Sequence, residues 1–270
     1  MNLDGKTTVV TGAAGGIGAA LARRFHAAGA RVVVADRDAD RLNAVAAELN
    51  ALRADSALAV VADISSEQGN IDLIEAARAK FGFINLFFAN AGVAVGTTLE
   101  DTDEATWDMV MNINTHAHRW AAKHLMGEWI AAGEGYFCST ASAAGLLSQI
   151  GSGTYSVSKH AAVAFAEWLS ITYGDRGIRV TTLCPQGVNT NMLNPPDASG
   201  IASSGGSAVK ASGAVLEPSE VADIVYQTIL DEKFLVMPHP EVHTYEERKV
   251  ADRDRWLAGM RRLQAKVSGI

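Results

Sequence analysis

The sequence predicts a doubly wound α/β protein, with one parallel β-sheet flanked by helices. Three observations support this prediction. Short runs of β-branched and aromatic residues alternate along the chain with longer helical patterns. The early apolar runs end in glycine or in a polar residue, and ligands bind at that end of the strands in such sheets. No linker divides the 270 residues, so we expect residues 1–270 to form a single domain.

Composition narrows the range of functions. The chain is 48% hydrophobic and 20% charged, as is typical of globular proteins. Its net charge of −7 and the lack of a Lys/Arg-rich run argue against a nucleic-acid partner. No apolar run is long enough for a membrane span, and the first residues lead into a strand without a signal peptide. Cys138 and Cys184 make no disulfide framework. We therefore expect a cytoplasmic protein with no membrane partner.

The first strand and the turn after it predict a phosphate site. Residues 7–11 are a short β-branched run, the form of a buried parallel strand. The glycine-rich segment 12–18 follows, and then a helical pattern that ends at Gly29. Glycines let the backbone approach a pyrophosphate, while the helix N-terminus supplies N–H donors and the positive end of its dipole.

The second strand, residues 31–36, points to the cofactor. It ends in Asp36, from which a carboxylate can accept hydrogen bonds from an adenosine ribose. The same carboxylate would repel a 2′-phosphate, so we expect NAD rather than NADP. The adjacent Arg37 is the one feature that favours a phosphate instead.

The remaining elements continue the alternation. Further strands are predicted over 57–62, 85–89, 136–139, 179–184 and 234–237, and helices over 37–52, 67–81, 107–130, 154–174 and 217–230. The sheet would then have seven strands, with the last of them at an edge. The tail, 240–270, is dense in charge but carries Trp256, Met260, Leu263 and Val267 at helical spacing. That stripe packs either on its own subunit or on a neighbour.

Tyr155, Lys159 and Ser142 form a candidate acid/base group. Tyr155 and Lys159 lie one helical turn apart on the same face, and Ser142 stands upstream in a run of small residues. Ionising a phenol near neutral pH means favouring the phenolate by about 3 pKa units, and a neighbouring ammonium is expected to lower the pKa in this way. Tyr-x-x-x-Lys alone is common on amphipathic helices, so the wider pattern must decide.

That wider pattern resembles the short-chain dehydrogenase/reductase family over nearly the whole chain. Four motifs occur in the family's order and at its distances: Thr11-Gly12-x-x-x-Gly16-x-Gly18, Asn90-Ala91-Gly92, Ser142 and Tyr155-x-x-x-Lys159. The resemblance implies a Rossmann-type fold and hydride transfer between a nicotinamide cofactor and a carbonyl carbon. It also implies contacts to the cofactor from Gly12, Gly16, Ile17, Gly18, Asp36, Asp63, Ile64, Asn90, Gly92, Tyr155, Lys159, Val188 and Thr190.

The resemblance also implies a role for an asparagine on the long helix. In the family, such a residue holds a water that connects the lysine to solvent. Its spacing from Trp107 selects Asn114 over Asn112, which is then a capping or surface amide. The histidines at 116, 118 and 124 do not converge on one helix face, so we expect no metal site. At 186, glutamine replaces the family's usual glycine.

The substrate side is described only in outline by the sequence. Residues 191–215, rich in Gly, Ala, Ser and Pro, are expected to form a substrate lid. The expected pocket walls are small or apolar: Val95, Ala143, Ala144, Leu146 and Met192. A neutral, fairly hydrophobic secondary alcohol or ketone fits such walls.

These observations favour an NAD-dependent alcohol dehydrogenase or carbonyl reductase with Tyr155 as the acid/base. Two alternatives remain. An NADP-dependent ketoreductase acting on acyl-carrier substrates would need a basic docking surface, which segment 127–134 lacks. A non-catalytic NAD-sensing or scaffold protein of the same fold would have no need of the whole catalytic set. The resemblance further implies a homo-oligomer, a tetramer or a dimer, with the helices 107–130 and 154–174 and the edge strand in its interfaces.

Overall fold

A seven-stranded parallel sheet forms the centre of the computed structural model, which describes residues 1–96, 98–193 and 213–268. The sheet contains β1 (Thr7–Thr11), β2 (Arg31–Asp36), β3 (Ala57–Val61), β4 (Leu86–Ala89), β5 (Gly135–Thr140), β6 (Ile178–Leu183) and β9 (Leu235–Val236). A separate two-stranded ladder pairs β7 (Gly187–Val188) with β8 (Val215–Leu216).

Helices connect the strands. Within the described residues they are α1 (Gly16–Ala27), α2 (Ala39–Leu52), α3 (Glu67–Phe81), α4 (Glu104–Met111), α5 (Ala117–Ala132), α6 (Ala143–Leu146), α7 (Gly153–Tyr173), α8 (Pro218–Leu230), α9 (Pro240–Ala251) and α10 (Arg253–Ser268). A π-helical turn, Asn112–His116, joins α4 to α5. None of these helices has the length and apolar character needed to cross a membrane.

Local sequence explains where the helices begin. The Asp38 carboxylate accepts a hydrogen bond from the backbone N–H of Arg41 at the start of α2, at 3.1 Å. Likewise the Ser66 hydroxyl accepts from the N–H of Gly69 at the start of α3, at 3.1 Å. Both are N-cap contacts that satisfy a backbone donor left free by the helix.

Two apolar layers pack against the faces of the sheet. One contains Leu21 and Phe25 of α1, Leu42 and Leu49 of α2, and Val221, Val225 and Ile229 of α8. The other contains Leu73 of α3, Leu125 and Trp129 of α5, and Ala166 and Leu169 of α7. Because both faces are covered, most strand residues are buried on either face rather than alternating between buried and exposed. The chain is thus a single α/β domain of the Rossmann type, as the sequence predicts.

The strand order β3-β2-β1-β4-β5-β6-β9 creates a crevice at the carboxyl ends of the central strands β1 and β4. The chain winds outward from β1 through β2 to β3, then returns to β4 on the other side of β1. Helices leaving β1 and β4 therefore lie on opposite faces, and a ligand site opens between them at the carboxyl ends. The predicted site residues collect at this edge.

Several details differ from the sequence prediction. The helix predicted over 107–130 begins earlier, at Glu104, and is interrupted by the π-helical turn. The short helix α6 and the β7–β8 ladder have no counterpart in the prediction. Of the predicted lid at 191–215, residues 194–212 lie outside the described residues.

Candidate active site

The glycine turn after β1 is shaped for close backbone contacts. Gly12 has a φ of +66°, and a side chain there would place Cβ 2.8 Å from Cα of Ala91. At Gly18, a Cβ would come within 2.7 Å of the Asn90 side-chain nitrogen. Glycine is therefore required at both positions. The turn leads into α1 at Gly16, so backbone N–H groups at the helix N-terminus face the crevice beside Ile17.

Acidic side chains stand at the ends of the next two strands. Asp36 accepts hydrogen bonds from the backbone N–H groups of Ala14 and Asp38, each at 3.1 Å, and so joins the end of β2 to the glycine turn. Asp63, after β3, accepts from the N–H of Ser65 at 3.0 Å. Hydrogen bonds from Ser65 lower the pKa of Asp63, with a smaller contribution from Arg37. Ile64 borders the same crevice.

A chain of hydrogen bonds links the glycine turn to Lys159. The Thr11 hydroxyl accepts from the backbone N–H groups of Asn90 and Ala91, at 2.9 and 3.0 Å. The Thr140 hydroxyl donates to the Asn90 side-chain oxygen at 2.9 Å, and the Thr140 carbonyl accepts from Nζ of Lys159 at 2.8 Å. These bonds fix β1, β4 and β5 relative to α7.

Lys159 is buried, with 2% of its surface exposed. Burial lowers its pKa to about 8, because the charged ammonium loses its hydration. Its Nζ also lies 3.2 Å from where a Cβ on Gly92 would stand, so a side chain at 92 would crowd the ammonium.

Tyr155 and Ser142 meet at the mouth of the crevice. The Ser142 side chain is a hydrogen-bond partner of the Tyr155 phenol, and Nζ of Lys159 lies 5.7 Å from the centroid of the phenol ring. The net shift of the Tyr155 pKa in this structure is upward, opposite to the net lowering that the sequence analysis expects. Burial raises the pKa of Tyr155, because it disfavours the phenolate, and the hydrogen bond with Ser142 only partly opposes that rise.

The single-turn helix α6 holds Ser142. The Ser142 hydroxyl accepts from the backbone N–H of Ala144 at 3.1 Å and so caps this helix. At Gly145, a Cβ would lie 2.9 Å from the carbonyl carbon of Lys159. The absence of a side chain at 145 thus lets α6 pack closely against α7 beside Lys159.

Asn114 is completely buried within the π-helical turn, whereas Asn112 stays partly exposed. The Asn114 side chain accepts from the backbone N–H of Val93 and donates to the Val93 carbonyl, both at 2.9 Å. It also donates to the Ser158 hydroxyl at 3.0 Å. Of the two candidate asparagines, Asn114 is therefore the one that connects the loop after β4 to α7.

The loop after β6 carries Val188, which is buried, and Thr190, whose methyl carbon would meet a Cβ on Gly16 at 3.0 Å. A residue that the sequence analysis missed shapes this loop. His239 accepts from the backbone N–H of Gln186 at 3.1 Å through Nδ1, which leaves Nε2–H to donate to the Gly187 carbonyl at 3.0 Å. No motif marks His239, because it is brought here from the far end of β9.

One open cavity of about 2080 Å³ is lined by the glycine turn, Asp36, Ser142, Tyr155, Lys159 and Thr190. Its substrate side is lined by Val95, Ala143, Ala144 and Met192, as predicted, and by Leu147, Trp256 and Met260. Leu146, which was also predicted as a wall, packs instead against Ala162, Val163 and Cys184. The apolar stripe of the tail therefore contributes Trp256 and Met260 to the chain's own cavity.

The three histidines considered as metal ligands have different surroundings. His118 is buried, His124 pairs with Glu67, and the ring of His116 packs on Trp120. Within the described ranges, no group of three or more His, Cys, Asp or Glu residues is arranged to hold a metal ion.

Comparison with known proteins gives the class to which this fold and site belong. The family described as short chain dehydrogenase matches residues 6–199. The chain therefore belongs to the short-chain dehydrogenase/reductase family and is an oxidoreductase of the dehydrogenase type.

Individual relatives are more distant. The chain is 34% identical over 247 residues to 1-deoxy-11-beta-hydroxypentalenate dehydrogenase of Streptomyces exfoliatus, covering 89% of this chain and 86% of the relative. It is 32% identical over 194 residues to meso-2,3-butanediol dehydrogenase of Serratia marcescens, covering 72% and 76%. A short-chain dehydrogenase/reductase from Burkholderia phymatum, solved in complex with NAD, superposes with a TM-score of 0.86 at 28% identity, covering 94% of this chain and 96% of that one.

Proposed function

We propose that this protein is an NAD-dependent dehydrogenase that transfers a hydride between NAD(H) and a neutral, fairly hydrophobic secondary alcohol or ketone. The observation that carries the proposal is the contact between the Ser142 side chain and the Tyr155 phenol at the mouth of the crevice, with Lys159 behind them. A protein that only sensed NAD would need the glycine turn but not this group.

In the proposed oxidation, Tyr155 is the base that accepts the proton of the substrate hydroxyl, and in reduction it returns that proton to the carbonyl oxygen. The Ser142 hydroxyl holds the same oxygen and stabilises charge as it develops there. A bound nicotinamide supplies the hydride acceptor or donor. The Lys159 ammonium, positioned by the Thr140 carbonyl at 2.8 Å, favours the phenolate form and holds the nicotinamide ribose.

Asn114 is proposed to complete the proton path. Its side chain is held by Val93 and Ser158, which fixes the π-helical turn against α7, where the water of the proposed path would bind. A π-helical turn changes the hydrogen-bond pattern of the backbone at this point, a feature that is frequent at functional sites. Such a water would carry protons between Lys159 and solvent.

The proposed cofactor is NAD. The residues present fit a dinucleotide, because Gly12 and Gly18 leave space that any Cβ would fill and α1 begins beside them. The Asp36 carboxylate at the end of β2 supports NAD over NADP, since it would face the adenosine ribose and repel a phosphate on it. The related Burkholderia phymatum protein was solved in complex with NAD, which agrees with this choice.

We also propose a homo-oligomer that works in the cytoplasm. Three large apolar side chains of α7 point away from the subunit: Val157, Trp168 and Ile171. Their spacing places them along one side of the helix. An exposed apolar stripe of this kind on a surface helix supports packing against a second copy of the chain.

The change Tyr155→Phe tests the proposed function. It removes the acid/base group, so kcat with secondary alcohols should fall by about 10²- to 10⁴-fold, while the Kd for NADH, measured by its fluorescence, should stay within about twofold. Tyr173→Phe, at the other end of α7, is the matched control and should leave both constants unchanged. Undiminished turnover in the Tyr155 variant would refute the mechanism. A wild type that binds NADH but oxidises no alcohol would favour the sensing function.

A further inference from the structure

Lys249, on the C-terminal helix α9, is a buried lysine that the proposed mechanism does not use. Only 7% of its surface is exposed. Its Nζ donates to the backbone carbonyls of Leu146 and Leu147, the second at 2.8 Å, and lies 3.4 Å from Nε2 of His160. In the described part of the chain, none of its hydrogen-bond partners is a carboxylate.

The tautomer of His160 explains the third contact. Nδ1 of His160 lies 2.8 Å from the Ser156 carbonyl, which can only accept, so Nδ1 carries the proton. Nε2 therefore presents a lone pair to the Lys249 ammonium. All three N–H groups of the ammonium thus have an acceptor, two from the C-terminal end of α6 and one from α7, the helix that carries Tyr155.

The two carbonyls belong to the end of α6. The last carbonyl groups of a helix have no partner within it, and a lysine side chain can satisfy them. Ser142 caps α6 at its beginning, and Lys249 binds it at its end. One turn of helix therefore separates the group that holds the substrate oxygen from an anchor supplied by the C-terminal tail.

Burial of this ammonium works against stability by itself. Burial lowers the pKa of Lys249, with a further contribution from Arg253 and a smaller opposing one from Glu246. An apolar side chain of similar length would fill the same space without losing the hydration of a charge. What an apolar side chain would not supply is the three directed bonds between α9, α6 and α7.

Lys249 also positions an aromatic wall. Its Nζ lies 5.3 Å from the centroid of the Trp256 ring, within the range of a cation–π contact. Trp256 and Met260 of α10 line the same cavity as Tyr155 and Ser142. Trp256 is half-buried, and its position over the cavity depends on how α9 and α10 are held.

We propose that Lys249 is a positioning residue that ties the C-terminal helices to α6 and so holds Trp256 as the wall that selects bulky hydrophobic alcohols. This proposal rests on the proposed function, since it concerns the substrate side of the same site. Lys249 contacts no reacting atom, so its effect reaches the substrate through α6 and Trp256. The cavity without this wall would still admit a small alcohol but would hold a large one poorly.

The test compares Lys249→Met with Lys249→Arg, using Lys233→Met, an exposed lysine that pairs with Asp231, as the matched control. With decalol as the bulky alcohol, KM should rise about tenfold or more in Lys249→Met, while kcat with isopropanol should fall by less than about threefold. Lys249→Arg should recover part of the loss, and the Lys233 variant should match the wild type. Equal changes for both alcohols, or none, would overturn the proposal.

A second measurement is independent of turnover. Hydrogen exchange of backbone amides in residues 253–266 and 144–150 should become about tenfold faster in Lys249→Met, while exchange in α1 and α2 stays at the wild-type rate. Unchanged exchange would refute the tie even if the wild type oxidised no alcohol. Conversely, exchange can be faster in Lys249→Met than in the wild type even if the wild type shows no turnover. That result would support the tie between the C-terminal helices and α6 and refute only the proposed function. If Lys249→Met does not fold, Trp256→Ala decides, because it should raise KM for decalol alone.

Discussion

Nδ1 of His239 accepts a hydrogen bond from the backbone N–H of Gln186 at 3.1 Å. Its other ring nitrogen donates to the carbonyl of Gly187 at 3.0 Å, so a single buried imidazole holds both sides of this turn. The family's usual residue at position 186 is glycine. Here a glutamine takes its place, and the histidine supplies the constraint on the backbone that leads to Val188.

Loss of this imidazole should weaken cofactor binding. Two hydrogen bonds of about 0.5–1.5 kcal/mol each hold the turn, so His239→Phe should raise the Kd for NADH by about three- to tenfold and lower the melting temperature. Fluorescence titration and thermal unfolding measure the two effects. His243→Phe, on the exposed side of α9, is the control, and an equal effect there would show that His239 has no special role.

The change Asp36→Asn should relax the cofactor preference. Asparagine keeps the size of the side chain, but its single acceptor oxygen can accept only one of the hydrogen bonds that Ala14 and Asp38 donate to the two carboxylate oxygens. Without the negative charge, repulsion of a ribose phosphate disappears, and the ratio of kcat/KM for NAD to that for NADP should fall about tenfold or more. An unchanged ratio would contradict the role given to Asp36.

Asn114→Ala should destabilise the protein, and Asn112→Ala should not. The fully buried Asn114 amide makes three hydrogen bonds, and its loss leaves the Val93 backbone without two of them. We expect the free energy of unfolding to fall by about 2–4 kcal/mol, with a loss of kcat as well. Urea unfolding of the two variants at one protein concentration makes the comparison. Equal losses would mean that the choice between the two asparagines is wrong.

His118 should make the folded protein sensitive to acid. Burial and the nearby Lys159 charge lower its pKa from the usual 6.5 to about 3, and neither ring nitrogen has a hydrogen-bond partner among the described residues. Between these two pH values the unfolded chain binds a proton that the folded chain does not. The free energy of unfolding therefore falls as the pH is lowered through this window.

The variant His118→Phe removes the titrating imidazole and keeps an aromatic ring of similar size. Its stability relative to the wild type should improve by about 1 kcal/mol for each pH unit below 6.5. Urea unfolding at pH values near 6.5 and 5 measures the difference. A difference that does not change with pH would show that His118 does not contribute to acid sensitivity.

The sequence is most informative where one residue type has a single physical role. Gly12 and Gly18 could be recognised because only glycine permits their close contacts, and Tyr155 with Lys159 because their spacing matches one helical turn. Residues whose partners are backbone groups far away in the sequence leave no such pattern in it. His239 and Lys249 lie in the tail, and their partners Gln186 and Leu146 are brought to them only by the fold.

The direction of the shift in the Tyr155 pKa could not be predicted from the sequence for a related reason. Spacing along the helix shows that an ammonium is near the phenol, but not how much hydration the phenol loses. The interruption of the long helix was equally hidden, since asparagine and isoleucine at 112–114 fit a regular helix as well as a π-helical one.

The π-helical turn at Asn112–His116 gives this helix one residue more than a regular winding needs. Each residue of an α-helix advances the side chains by about 100°. Deleting a residue from α4 or α5 outside the turn would rotate either the Trp107 side or the Trp129 side of the helix by that angle, whereas deleting the extra residue of the turn would restore regular winding without that rotation. The length of the chain between these two tryptophans is therefore under a constraint that substitutions do not reveal. Loss of the Asn114 side chain removes only that residue's own hydrogen bonds, whereas a deletion in the regular part of the helix displaces a whole helix face.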